Sequence, residues 1–298
     1  MGLNALVESL SRLQAMTITG HKLRSIRHLP MTLLARLRDA ALGRHSHQLA
    51  ICAIFKDEAR NLEEWIAFHQ SVGVGHFYLY DNGSTDNFQE VLAEHVRSGL
   101  VTYINWPEYP GQVLAYRDCA RRFSGQARWI AFIDIDEFLF SPHQKDLREV
   151  LSRFRDCPGL LVHSYHFGSS GHRERPTLRT IEAYTRREAI PSCGKTVANP
   201  RWISGISNPH MFRYWGWGHR TPNTERETAE PLGKSRPVDV LRINHYWSRS
   251  LADLEAKIVR TDPLARKISA DNYRQREQSY NEIEDRTIIE LAQNEVRK

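Results

Sequence analysis

Leu49-Ala-Ile-Cys-Ala-Ile-Phe55-Lys-Asp-Glu58 is a continuous apolar run that gives way at once to charge. A short run of this kind, without polar alternation, reads as a strand buried on both faces, as in a parallel sheet. Downstream, Asn61 and Glu64 have the spacing of a capping box, and Leu62, Trp65, Ile66 and His69 recur at helical intervals up to Gly73. His76-Phe-Tyr-Leu-Tyr80 is a second strand, closed by Asp81-Asn-Gly-Ser-Thr-Asp86. Asp86 is placed to cap the next helix, whose Phe88, Val91, Leu92, His95 and Val96 form one apolar stripe before Gly99. A third strand over 100–104, a helix over 111–123 and a fourth strand over 129–135 continue the alternation. This rhythm predicts an α/β fold, a Rossmann-like and mostly parallel sheet flanked by helices.

Ligands of such sheets bind beyond the carboxyl ends of the strands. Polar residues fall there: Lys56 and Glu58 after the first strand, Asp81 and Asn82 after the second, Asp134 and Asp136 at the end of Trp129-Ile-Ala-Phe-Ile-Asp-Ile-Asp-Glu-Phe-Leu-Phe140. Side chains alternate along a strand, so Asp134 and Asp136 are expected on one face. Paired carboxylates repel unless a cation joins them, which predicts a divalent-metal site holding a phosphate-bearing ligand. Glu137 falls on the other face and is expected in a structural ion pair. The bland readings are a turn for Asp81-Asn-Gly-Ser84 and a solvated helix-entry charge for Glu58.

After Phe140 the rhythm weakens. A helix over 144–154 and a run over 159–167 lead into a Gly-, Pro- and Arg-rich stretch; a late strand is expected over 238–245. Leu251, Leu254, Ile258 and the segment 283–291 look helical. The expected organisation is a basic arm over 1–48, one domain over 49–262 and a helical extension over 263–298. Gly194-Lys195-Thr196 mimics a phosphate loop, but Ala189 stands where that motif needs glycine, so Lys195 is expected at most as a point charge on phosphate.

The 298 residues are 41% hydrophobic and 26% charged, an ordinary globular composition. A formal charge of +6 suits an anionic partner such as a nucleotide or a membrane surface, and no basic-aromatic ladder argues for nucleic acid. Cys52, Cys119, Cys157 and Cys193 are scattered, which supports neither a zinc cage nor a disulfide framework. With no apolar stretch of membrane-spanning length and no signal-peptide core, the expected location is the cytoplasm. Between His21 and His47, Lys22, Arg24, Arg27, Arg36, Arg38 and Arg44 alternate with leucines. That segment is either a peripheral membrane contact or a packing arm.

Residues 51–87, with Lys-Asp-Glu-Ala, Glu-Trp-Ile-Ala-Phe-His and Phe-Tyr-Leu-Tyr-Asp-Asn-Gly-Ser-Thr-Asp-Asn, resemble the start of a family 2-like glycosyltransferase of the GT-A fold. The segment ending in Ile-Asp-Ile-Asp-Glu-Phe resembles the metal motif of glycosyltransferase family 92. His166-Phe-Gly-Ser-Ser-Gly-His172, Gly194-Lys-Thr-Val-Ala-Asn-Pro200 and Ile243-Asn-His-Tyr246 resemble later blocks of that family. The resemblance implies that Glu58 binds the donor ribose, Asp81 the uracil, and Asp136 a Mn²⁺ or Mg²⁺, with Asp134 on the metal or ribose. It implies that His245 completes the metal site, although a satisfied core histidine is an equal reading from the residue alone. The implied reaction is an inverting hexosyl transfer from a UDP-sugar to a glycan or glycolipid hydroxyl. His172 and Glu174, in the loop after Phe167, are the candidates for its catalytic base. The alternatives are a nucleotidyltransferase and a non-catalytic carbohydrate-binding protein. The first needs a glycine-rich loop after strand one, and residues 55–61 contain no glycine.

Overall fold

A computed structural model describes residues 43–218, 221–228, 235–259 and 270–293. Most of the basic arm lies outside these residues, as does the expected boundary at 262. The chain alternates β1 (His47–Phe55), α1 (Ala59–Ser71), β2 (His76–Asp81), α2 (Phe88–Arg97), β3 (Val101–Asn105), α3 (Gln112–Arg122) and β4 (Ala127–Phe132). There follow β5 (Glu137–Phe140), α4 (Leu147–Ser152), β6 (Gly159–His166), α5 (Thr180–Ala183), β7 (Arg186–Arg187) and β8 (Ser192–Ala198). The remaining elements are β9 (Ile203–Ile206), β10 (Phe212–Tyr214), β11 (Arg242–His245), α6 (Leu251–Val259), α7 (Ala270–Ser279), β12 (Ile283–Glu284) and α8 (Thr287–Gln293).

The main sheet has the order β3-β2-β1-β4-β8-β6-β11-β5. β3, β2, β1 and β4 pair in parallel, as do β6 and β11. β8 is antiparallel to both its neighbours, and β5 to β11. The unbroken apolar character of β1 has the expected cause. Leu49, Ile51, Ala53 and Phe55 enter one core with Leu62, Trp65 and Leu92, while Ala50, Cys52 and Ile54 enter a second with Ala115, Tyr116 and Cys119. Helices therefore cover both faces of this half of the sheet.

β8 fits between β4 and β6 because of one glycine. A Cβ at Gly194 would lie 1.5 Å from the Val162 carbonyl oxygen. The Gly-Lys pair that mimics a phosphate loop is a close strand contact, and it fixes the position of Lys195. All four cysteines are free thiols, three of them buried. Among the described residues no helix is long and apolar enough to cross a membrane.

Three local expectations are corrected. α1 begins at Ala59, so Asn61 and Glu64 form no capping box; the Asn61 amide donates to Glu58. Glu64 instead accepts the Thr180 and Ile181 N–H groups, at 2.9 and 3.3 Å, at the start of α5. Asp86 does not cap α2, whose N-cap is Asn87; its carboxylate accepts the Ala59 N–H of α1 at 2.8 Å. In each case a distant backbone donor outcompetes the local one. The segment 283–291 opens as strand β12, paired with β7, before turning helical at Thr287.

Asp285, between β12 and α8, fastens this last segment to the sheet edge. It meets Arg187 at 2.7 Å and Arg242 at 3.1 Å. Burial would raise its carboxyl pKa, but Arg242, Arg187 and the Thr287 N–H hold it well below the usual carboxylate range. A lowered folded-state pKa contributes stability above the unfolded value, about 4, and loses it as pH falls toward the folded one. We expect Asp285→Asn to cost about 3–5 kcal/mol at neutral pH, because the buried Arg242 and the half-buried Arg187 lose their carboxylate partner. In urea unfolding the deficit should shrink below about pH 4; a deficit independent of pH would contradict the assignment.

Candidate functional site

The β1–α1 and β2–α2 loops are stitched together at the carboxyl edge. Asp57, at φ +54°, donates its N–H to Ser84 Oγ at 2.9 Å and accepts the Thr85 N–H at 2.7 Å. Asp81 is buried, and its carboxylate accepts the Ser84 N–H at 2.8 Å and the Tyr103 hydroxyl at 3.2 Å. Asn82 donates to the Trp106 and Glu108 carbonyls, both at 2.8 Å, and so holds the loop that enters α3. The turn expected at Asp81 and Asn82 is present, and it organises three strand ends. Lys56 is exposed on the same edge.

A chain of opposite charges crosses the middle of that edge. Lys195 of β8, 3% exposed, donates to Asp134 at 2.6 Å and lies 3.6 Å from Glu137. Asp134 also accepts from Gln112 at 2.6 Å and Tyr116 at 3.2 Å, both on α3. Glu137 accepts the Asp134 N–H at 2.9 Å and faces His245 Nδ1 at 3.5 Å. His245 Nε2 lies 3.3 Å from Asp136, which also takes Lys257 of α6 at 3.0 Å. Arg249, buried and at φ +52°, pairs with Glu58 at 3.0 Å.

Burial sets the protonation of these groups as much as pairing does. It lowers His245 to a pKa of about 4 despite Asp136, so the imidazole is neutral. Burial alone would raise Asp136, but Lys257 and His245 hold it well below the carboxylate range. Burial opposes a charge on Lys195, and Asp134 and Glu137 outweigh it, leaving the ammonium firmly protonated. Glu137, most deeply placed, is pushed by burial up to about 8 against the pull of Lys195.

Beside this chain, His166 at the end of β6 is the register partner of His245 on β11, with ring centroids 4.7 Å apart. Its Nδ1 lies 2.8 Å from Glu188 Oε1, and the same oxygen accepts the His166 N–H at 2.7 Å. Ser192 donates to the other Glu188 oxygen at 3.0 Å. Tyr280 stacks on the His166 ring, 4.6 Å between centroids.

Several readings from the sequence change. β4 stops at Phe132, and Asp134 and Asp136 sit in the turn that leads to β5, not on one strand face. Each has its own lysine, so their repulsion is relieved without a shared cation. Lys195 is committed to Asp134 and Glu137 and is no exposed phosphate ligand. Glu137 does lie against a cation, Lys195 at 3.6 Å, from a strand that the sequence does not place beside it, but burial pushes its carboxyl toward the protonated form. His172 and Glu174 lie on the loop between β6 and α5. The His172 ring faces the Ala183 carbonyl at 3.1 Å, Glu174 is exposed, and no described hydrogen bond or ion pair joins either to the carboxylates. Gln112, Tyr116, Arg249 and Lys257 carried no signal in the sequence, because each enters through a long-range contact.

For a divalent cation the donor set is mixed. Among the described residues no group of three or more His, Cys, Asp or Glu side chains is arranged to hold a metal. Asp136 and His245 nevertheless set one carboxylate beside one neutral imidazole, which suits a borderline cation that draws the rest of its shell from phosphate and water. Asp134, saturated by Lys195, Gln112 and Tyr116, lies outside that pair.

The Lys195 cluster yields a stability test. Lys195→Met should cost about 1.5–3 kcal/mol, because the half-buried Asp134 loses its charged donor and keeps only Gln112 and Tyr116. Adding Asp134→Asn should return part of that loss, giving a coupling of about 0.5–3 kcal/mol in denaturant unfolding. Strictly additive losses would show that the pair is not coupled.

Comparison with known proteins gives this edge a lineage. The profile of Glycosyltransferase family 92 matches residues 47–293. A family 92 protein of Oryza sativa subsp. japonica is 35% identical over 178 residues, 56% of this chain and 30% of that protein. Galactan beta-1,4-galactosyltransferase GALS1 of Arabidopsis thaliana is 32% identical over 106 residues, 32% of this chain and 21% of that one. The chain thus spans less than a third of either relative. Among solved structures, S. aureus TarS 1-349 in complex with UDP overlaps 51% of this chain and 47% of its own, at 10% identity and a TM-score of 0.35. That overlap is too slight to argue from. The profile match covers the whole sheet and every residue of the charge chain, and on that extent the chain belongs to glycosyltransferase family 92.

Proposed function

We propose that this protein transfers a hexosyl group from a UDP-sugar to a hydroxyl of a glycan or glycolipid, with a divalent cation, Mn²⁺ or Mg²⁺, at Asp136 and His245. The observation that carries the reading is the convergence of Asp136, His245, Lys257, Arg249 and Glu58 at the carboxyl edge of a family 92 domain. When bound, the cation would supply charge neutralisation on the departing diphosphate. The protein's own groups do the rest. Lys257 is a mobile point charge that can follow a phosphate, and Arg249 is a fixed fork held by Glu58. Because they are already oriented, little reorganisation is needed as negative charge develops on the leaving group. Glu58 is assigned to the ribose hydroxyls and Asp81 to the uracil N–H. A carboxylate has about four acceptor sites, so the bonds from Ser84 and Tyr103 leave Asp81 with capacity to spare.

A panel of UDP-hexoses, scored for UDP release with and without Mn²⁺, tests the reading without knowledge of the acceptor. Asp136→Asn should abolish release and Mn²⁺-dependent UDP binding while circular dichroism shows a folded chain, and chelation should silence the wild type. Full turnover in excess chelator would contradict the cation's role.

The basic arm is assigned to the surface of an anionic membrane, from its lysines, arginines and leucines between positions 21 and 47. Each cation near such a surface contributes about 1 kcal/mol, and salt screens it. Deleting residues 1–44 should abolish sedimentation with phosphatidylserine vesicles and leave UDP release intact; undiminished sedimentation would refute the assignment.

A further inference from the structure

We propose that His166, oriented by Glu188, is the general base that takes the proton from the acceptor hydroxyl. The inference rests on the transfer reading above and supplies the group which that reading lacks. Three features set His166 apart from His172, the candidate suggested by the sequence. It stands at the carboxyl end of β6, directly beside His245 across the parallel β6–β11 pair, on the edge where the donor is assigned. Its Nδ1 faces a carboxylate at 2.8 Å, and that carboxylate is fixed by two further bonds, from the His166 N–H and from Ser192. The third feature is the other nitrogen. Nε2 has no partner among the described residues, while Tyr280 holds the ring plane by stacking at 4.6 Å.

A histidine whose Nδ1–H is directed at a carboxylate presents Nε2 as a lone-pair acceptor in a fixed tautomer. This is the base-and-orienter arrangement of acyl-transfer triads, here without a protein nucleophile. The acceptor hydroxyl supplies the nucleophile. Its O–H proton passes to Nε2 as its oxygen bonds the anomeric carbon, and the bond from that carbon to the β-phosphate oxygen breaks. The electron pair leaves with UDP. Glu188 stabilises the imidazolium, which returns its proton to solvent. Attack opposite the leaving group inverts the anomeric centre, in keeping with the expected stereochemistry. Glu188 touches no reacting atom and is a positioning residue.

His166→Asn is the informative variant, because its amide can still donate to Glu188 but has no basic nitrogen. Water serves as the acceptor, with UDP release from UDP-galactose, UDP-glucose and UDP-N-acetylglucosamine as the rate and calorimetry with UDP and Mn²⁺ as the binding control. General bases contribute typically 10²–10⁴-fold. His166→Asn should therefore slow release at least about 100-fold with UDP affinity kept within about twofold. Added imidazole should restore part of the rate in His166→Ala, a response that a purely structural role would not give. Glu188→Gln should lose less than His166→Asn. An active wild type matched within threefold by His166→Asn overturns the base alone, as does a loss of UDP affinity that accounts for the whole loss of rate. If the wild type releases UDP from no donor in the panel, the transfer reading fails, and the base fails with it.

Discussion

A buried ammonium governs how this site is built. Lys195 sits between Asp134 and Glu137 at 3% exposure, and placing such a charge away from water costs several kcal/mol unless its partners are well set. Everything around it answers that demand. Gly194 lets β8 come close enough to β6 to put Lys195 under the β4–β5 turn. Gln112 and Tyr116 satisfy the far oxygen of Asp134, and the Asp134 N–H satisfies Glu137. Glu137 in turn faces His245, so the lysine fixes, at one remove, the histidine that stands beside Asp136.

The second half of the site is a separate circuit. Arg249 and Lys257 follow β11, and they balance Glu58 and Asp136 on the opposite side of His245. Lys257 is the most open charge of this circuit, at a side-chain exposure of 33%, against 18% for Asp136 and 17% for Glu58. The buried Lys195–Glu137 contact serves geometry, while Lys257 is the charge that, in the proposed transfer, exchanges its partner for an incoming phosphate. This division explains how a site can be rigid yet accept a multiply charged ligand. Fixed dipoles and charges act on a developing negative charge without first having to be oriented.

Much of the fold was legible in the residues, and the limits are physical. β1 to β4 with their helices announce themselves because each strand buries both faces and each helix carries one apolar stripe. The second half did not, because β8 inserts antiparallel between β4 and β6, out of sequence order, and because β5, β7, β11 and β12 are too short to show a period. Caps misled for a related reason. Asp86 and Glu64 have the right chemistry to cap a helix and do so, but for helices elsewhere in the chain. In the site, the residues on strand ends were visible as polar breaks in apolar runs: Glu58, Asp81, Asp134, Asp136 and His245. Arg249 and Lys257 were not, since nothing local distinguishes an arginine or lysine that pairs across more than a hundred residues. His166 was visible as part of a family block, but its chemistry depends on Glu188, which the bridge between Phe167 and Arg187 of β7 brings to it.

The Asp136–His245 edge, with Arg249 and Lys257, is the proposed seat of a nucleoside diphosphate and its cation. A crystal structure with UDP and Mn²⁺, read by anomalous diffraction at the manganese edge, tests it most directly. A manganese peak is expected within bonding distance of Asp136 and His245, with the diphosphate against Lys257 and Arg249. A peak elsewhere in the molecule, or UDP bound with this edge unoccupied, would contradict it.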